Sequence, residues 1–177
     1  TLSVMAFDKT GTITTGKPSV TDVIALHGSE ADLLTLAASV ESRSGHPLAQ
    51  AVVQAARSRQ VAWPEATDVQ SVTGKGMHAV VSGVRVSIGN LRLFEAEGVP
   101  DSVRQQVLDL EEIGKTTMLV RREGTFVGVL ALADTTRAGM HEVFVKLASL
   151  GIRETVMLTG DNEPVAKAVA ASVGITD

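Results

Sequence analysis

Apolar residues along the chain recur at strand spacing in some stretches and at helical spacing in others, and short breaks separate the two. A brief apolar run at 2–6 leads into Phe7-Asp8 and a Gly-containing loop. This predicts a buried strand that delivers Asp8 to the C-terminal edge of a sheet, where open α/β sheets place their chemistry. Gly16 and Pro18 then interrupt 13–18, which reads as a linker, and the β-branched stretch 20–26 reads as a strand. Ser29 precedes an apolar stripe at helical spacing (Leu33, Leu34, Leu36, Ala37, Val40), predicting a capped helix that ends near Ser44-Gly45. Pro47 suits the first turn of a second helix over about 48–59, with Leu48, Val52, Val53 and Ala56 facing a core.

Three short strands at 69–72, 77–81 and 84–88 are split by Gly74-Lys75-Gly76 and by the hairpin pair Ser82-Gly83. A helix is expected over 90–97, then another capped by Asp101 and closed by Gly114. Strands at 117–121 and 126–132 meet at Glu123-Gly124. After Asp134 the order becomes helix 137–150, buried strand 155–158 and helix 163–173. Hairpins and helix pairs between about 20 and 132 are an α+β pattern, set between two stretches of α/β alternation. The predicted architecture is a split α/β domain, 1–17 and 133–177, with an α+β domain inserted at 18–132 whose antiparallel sheet is flanked by helices.

Composition narrows the function. The chain has 177 residues, 44% hydrophobic and only 3% aromatic, so Val, Ala, Leu and Ile must fill its core. A net charge of −4 argues against a nucleic-acid partner, and the absence of cysteine removes disulfides and thiolate metal sites. No apolar run approaches the roughly 20 residues that span a bilayer, so a soluble segment is expected.

A carboxylate at a strand end, as at Asp8, can act as a nucleophile and form an aspartyl-phosphate. Lys9 would offset phosphate charge, Gly11 allows a tight turn, and the Thr10 and Thr12 hydroxyls can bond phosphate oxygens. Thr159-Gly160-Asp161-Asn162 sits between a predicted strand and helix, a place suited to anions, although Asp or Asn there is also an ordinary helix cap. Ser44-Gly45-His46-Pro47, preceded by Glu41, is either a plain helix flank or a binding constellation. Gly74-Lys75-Gly76 is either a turn or a place where backbone approaches a flat base or a phosphate. Gly114-Lys115-Thr116 imitates the end of a P-loop, but Asp109 stands where that motif needs Gly and the preceding stretch reads as helix. His27, His78 and His141 have no partners at metal-ligand spacing.

Phe7-Asp8-Lys9-Thr10-Gly11-Thr12 resembles the phosphorylation signature of P-type ATPases, which form an aspartyl-phosphate from ATP. Thr159-Gly160-Asp161 resembles their second phosphate-binding motif. The Ser44–Pro47 tetrad resembles the His-Pro signature of the heavy-metal-transporting subclass, with Gly45 where the family usually has Glu. The resemblance implies a haloacid-dehalogenase-like phosphorylation domain with an inserted nucleotide-binding domain. It makes Asp8 the catalytic nucleophile, and Lys9, Thr10, Thr159, Gly160 and Asp161 the phosphate site. Mg²⁺ would sit at the Asp8 carboxylate and Thr10 carbonyl. Glu41 and His46 would seat the adenine end of ATP, with Gly74, Gly76, Gly89 and Asn90 lining the same pocket. Asp134-Thr135-Thr136-Arg137 resembles the segment that re-enters the phosphorylation domain, or is a solvated turn.

Soluble phosphatases of the wider superfamily carry a second Asp two residues after the nucleophile, where this chain has Thr10. The family's later Lys and Gly-Asp-Gly-x-Asn-Asp motif do not occur before residue 177, so the phosphorylation domain is expected to be C-terminally truncated. The chain alone is therefore expected to bind ATP but form little phosphoenzyme. The parent would add transmembrane and actuator domains and work at the cytoplasmic face of a membrane. A stand-alone nucleotide-binding module and a soluble haloacid-dehalogenase-type phosphatase are the alternative readings, and the transported metal is unreadable.

Overall fold

The structure, a computed structural model, describes residues 3–175, so Leu2 of the first apolar run lies outside the described residues. The chain divides into two compact units: Thr1–Pro18 with Asp109–Thr116 and Ala133–Asp177, and Ser19–Leu108 with Thr117–Leu132.

In the smaller unit, β1 (Val4–Asp8) pairs in parallel with β8 (Glu154–Leu158), in register from Val4↔Glu154 to Asp8↔Leu158. Helices α4 (Met140–Ser149) and α5 (Glu163–Val173) belong to the same unit. Strand side chains alternate between faces. Phe7 and Met157 therefore pack toward a core of Ile13, Phe144, Ala170, Val173 and Ile175, with the Phe7 and Phe144 rings edge-to-face at 5.1 Å. The opposite face is open. Val4 and Leu158 are 46% and 55% exposed, so these strands are half-buried rather than buried as the apolar runs predict.

Residues 13–18 are not a linker. Ile13 is fully buried, and β2 (Thr14–Ala25) runs straight through Gly16 and Pro18. Composition alone misses this because the strand's start is held by a distant carboxylate, Asp134. Helix α4 begins at Met140, three residues later than expected, because Gly139 takes a left-handed φ of 81° just before it.

The larger unit is built on a six-stranded sheet in the order β2-β7-β6-β5-β4-β3. Its further strands are β3 (Ala66–Val72), β4 (Gly76–Val81), β5 (Val84–Gly89), β6 (Thr116–Arg122) and β7 (Thr125–Thr136). The pairs β3/β4, β4/β5 and β5/β6 are antiparallel. Helix α1 (Glu30–Glu41) starts in a reciprocal capping box between Ser29 and Asp32, and α2 (Pro47–Ser58) starts on Pro47. Leu34, Ala37 and Val40 of α1 and Val52 and Ala56 of α2 share a core with Met77, Ala79, Val81, Val86 and Ile88.

Three predicted elements differ. The helix expected at 90–97 is a single 3-10 turn, Leu91–Phe94, with Gly98 at φ 75° soon after. Asp101 lies inside the first turn of α3 (Asp101–Glu112) and does not cap it; the Arg104 N–H reaches the Pro100 carbonyl. Strand β7 continues through Asp134, so the Asp-x-x-Arg segment begins in a strand and not in a turn.

Candidate functional site

Asp8 ends β1 level with Leu158, the last residue of β8, and its side chain is exposed. Among the described residues no hydrogen bond or ion pair engages its carboxylate. The chain then turns tightly over Lys9–Ile13, with Gly11 at φ 81°. The Lys9 ammonium is largely buried and forms an ion pair with Asp161, in the loop after β8. The Thr159 hydroxyl donates to the same Asp161 carboxylate oxygen at 3.0 Å and accepts the Asp161 N–H at 3.1 Å. Asn162 caps α5 by accepting the Val165 N–H, and a Cβ at Gly160 would meet open space. The structure thus brings Lys9, Thr159 and Asp161 together at the strand ends beside Asp8. Asp161 faces Lys9 and Thr159, and an anion there would meet the Asp161 carboxylate as well as the cation it holds.

The turn after Asp8 is clamped from the far end of β7. Asp134 accepts the Thr14 hydroxyl at 2.5 Å, the Thr15 hydroxyl at 3.0 Å, and the Gly16 and Lys17 N–H groups at 3.1 Å each. Arg137 donates to the Gly11 carbonyl at 2.9 Å and to the Thr14 carbonyl at 3.1 Å. Sequence spacing left this Asp-x-x-Arg segment undecided, and no local signal names the loop it holds.

In the larger unit, Glu41 ends α1 and is only 5% exposed. Burial pushes its carboxyl up from about 4.5 to about 7, because the charged form loses water and gains no cation. His46 is the exposed N-cap of α2: its Nδ1 accepts the Leu48 N–H at 3.2 Å, and its backbone N–H donates to the Ser44 hydroxyl. With Nδ1 used as an acceptor, Nε2 is the ring nitrogen of this exposed residue left to donate.

The glycines separate by physical cause. Gly76 (φ 151°) lies opposite Gly89 across β4/β5, and a Cβ on it would sit 2.1 Å from the Ile88 carbonyl oxygen. A Cβ on Gly89 would meet the Lys75 carbonyl at 2.3 Å. These two are glycine because two backbones touch. Gly74 (φ 69°) has nothing within 4 Å of its missing Cβ, so it is the one with room for an approaching ligand. Its carbonyl accepts the Asn90 side-chain amide at 2.9 Å, while Asn90 Oδ1 is buried without a partner. Sequence reasoning did not single out Arg92, whose guanidinium donates to the same carbonyl at 2.9 Å.

A split unit with a parallel strand pair, an exposed carboxylate at its edge and a large insertion is the plan of one enzyme class. The chain belongs to the haloacid dehalogenase-like hydrolase family, whose pattern it matches over residues 2–177. Its relatives are heavy-metal P-type ATPases. It is 39% identical over 183 residues to a probable cadmium-transporting ATPase of Alkalihalophilus pseudofirmus, covering 99% of this chain and 25% of that protein. It is 41% identical over 175 residues to a copper-exporting P-type ATPase of Staphylococcus haemolyticus, covering 98% and 21%. Among solved structures, a zinc-transporting PIB-type ATPase superposes with a TM-score of 0.74 at 41% identity, over 98% of this chain and 28% of that one. The N-domain of a copper-transporting P-type ATPase matches at 30% identity and a TM-score of 0.56, over 65% of this chain and 99% of that domain. The chain thus spans about a quarter of the length of the curated relatives it matches.

Proposed function

We propose that the chain is the ATP-binding and phosphate-accepting part of a heavy-metal cation-transporting P-type ATPase. ATP is held by the larger unit, and the γ-phosphate passes to Asp8. The observation that carries the reading is Asp8 itself, an exposed carboxylate without a partner among the described residues at the C-terminal end of β1, beside the Thr159-Gly160-Asp161 loop. In the transfer, an Asp8 carboxylate oxygen forms the new bond to phosphorus as the bond to the bridging oxygen of ADP breaks. Such transfer is mostly positioning and charge neutralisation. Lys9, oriented by Asp161, offsets the phosphate charge, and the Gly160 N–H and, once it turns from Asp161, the Thr159 hydroxyl are donors for phosphoryl oxygens. The Asp8 carboxylate and Thr10 carbonyl are hard oxygen donors of the kind Mg²⁺ takes, and bound Mg²⁺ would neutralise charge on the phosphoryl group.

At the other end of the nucleotide, Nε2 of the exposed His46 and the carboxyl of Glu41, which burial makes hold its proton more tightly, suit the polar edge of adenine. Gly74 offers the open backbone surface. Thr10 favours a transferase over a phosphatase, since it cannot activate water as a second carboxylate would. In the parent protein this portion works with transmembrane and actuator domains at the cytoplasmic face of a membrane.

Two measurements test the reading. In calorimetry on the 177-residue chain, His46→Ala is expected to weaken ATP binding, while Asp8→Asn leaves it intact or strengthens it by removing charge repulsion. In the full-length protein, γ-labelled ATP is expected to leave an acid-stable, hydroxylamine-labile label that Asp8→Asn abolishes. Label retained in Asp8→Asn, or the reverse order of affinities, overturns the assignment.

A further inference from the structure

We infer that Arg92 is a positioning residue of the nucleotide site, holding the Gly74-Lys75-Gly76 loop in its binding shape through the Gly74 carbonyl. The inference rests on the nucleotide-binding role proposed above for that loop. The β3–β4 connection, 73–75, carries Gly74, and Gly76 opens β4 directly after it; ordering a glycine costs more backbone entropy than ordering any other residue. The chain offsets this with a set of bonds. Lys75 donates its N–H to the Val72 carbonyl at 2.9 Å, and the Asn90 N–H reaches the Lys75 carbonyl at 2.9 Å. At the tip, the Gly74 carbonyl accepts both the Asn90 amide and the Arg92 guanidinium, each at 2.9 Å.

Two side-chain donors on one exposed turn carbonyl go beyond what a β3–β4 connection needs in order to close. The partner they fix is the one loop glycine with open space beside it. Asn90 Oδ1, left buried without a donor in the same cluster, marks a polar acceptor that the chain itself does not use. Charge agrees with the placement. From residue 69 to 94 the sequence has no Asp or Glu, although the whole chain is at −4, and although Glu95 follows three residues after Arg92, the guanidinium bonds the Gly74 carbonyl. Arg92 is exposed, so its bond to Gly74 shapes a loop and fills no core.

The test titrates the 177-residue chain and its Arg92→Ala and Arg92→Lys variants with ATP and, separately, with adenosine. Loss of one charge-assisted hydrogen bond that shapes the loop is expected to weaken both ligands about tenfold in Arg92→Ala, with the ATP-to-adenosine ratio unchanged. Arg92→Lys keeps a donor and is expected to recover most of the affinity. Amide resonances of Gly74 and Lys75 should shift in Arg92→Ala and return in Arg92→Lys, with thermal stability little altered in either. Equal affinity of Arg92→Ala and wild type for both ligands overturns the inference. Loss of ATP binding with adenosine retained also overturns it, because Arg92 would then be a phosphate contact. Failure of the wild-type chain to bind either ligand would instead remove the nucleotide reading itself, before any variant is compared.

Discussion

At Gly76 and Gly74, two residues apart and alike in sequence, substitution has different consequences. A Cβ on Gly76 would collide with the Ile88 carbonyl oxygen at 2.1 Å and the Gly89 Cα at 2.6 Å, both backbone atoms that cannot rotate away. Gly76→Ala is therefore expected to destabilise the chain by several kcal/mol, against about 1–2 kcal/mol for Gly74→Ala, where only the left-handed φ is at stake. Thermal unfolding of the two variants without ligand checks the order, and a Gly76→Ala variant as stable as Gly74→Ala would refute the contact. Glu41 makes a second residue-level prediction. Its folded carboxyl titrates near 7, above the ordinary 4.5, so the folded state holds the proton more tightly than the unfolded state. The associated stability is complete below about pH 4.5 and is lost as pH rises through 7. Glu41→Gln, which cannot ionise, should thus gain stability over wild type at pH 8, by an amount on the order of 3 kcal/mol at most, and gain little at pH 5. Denaturant unfolding of both proteins at the two pH values reads the difference.

Among the elements, β2 shows how a strand can exist where local preference opposes it. Gly16 and Pro18 weaken any strand, yet β2 begins at Thr14 because Asp134 of β7 collects two hydroxyls and two backbone N–H groups from 14–17. The same clamp, with Arg137 on the Gly11 and Thr14 carbonyls, shapes the turn that follows Asp8. Asp134→Ala should release the Gly16 and Lys17 amides, raising their hydrogen-exchange rates at least tenfold, since a bond to a charged acceptor is worth about 1.5–3 kcal/mol. It should also slow phosphorylation of Asp8 in the full-length protein more than it weakens ATP binding. Unchanged exchange at both amides would show that the clamp does not hold the strand.

For the molecule as a whole, the division into two units separates the proposed tasks. Glu41, His46, Gly74, Gly89, Asn90 and Arg92 all belong to the larger unit, while Asp8, Lys9, Thr159, Asp161 and Asp134 belong to the smaller. If nucleotide affinity resides in the larger unit, ATP should slow amide exchange at 42–48, 73–77 and 89–92, and Asp8→Asn should leave that footprint unchanged. Protection confined to 9–13 and 159–161 would contradict the division of labour.

What could be read without coordinates was local. The Asp8 strand and its loop, the Ser29 cap, Pro47 at the head of α2 and the Asn162 junction all depend on neighbours within a few residues, so spacing and residue type suffice to place them. Tertiary structure decided what depends on residues far apart. The extended stretch at 13–18 waits on Asp134, the Lys9 ammonium on Asp161, and the carboxyl of Glu41 on the burial that raises its affinity for a proton. The identity of Gly76 and Gly89 waits on the contact of two strands. A sequence pattern encodes periodicity and caps because those obey short-range sterics. Which distant side chain meets which backbone atom is set only when the sheet closes, and at both candidate sites those meetings give the residues their orientation.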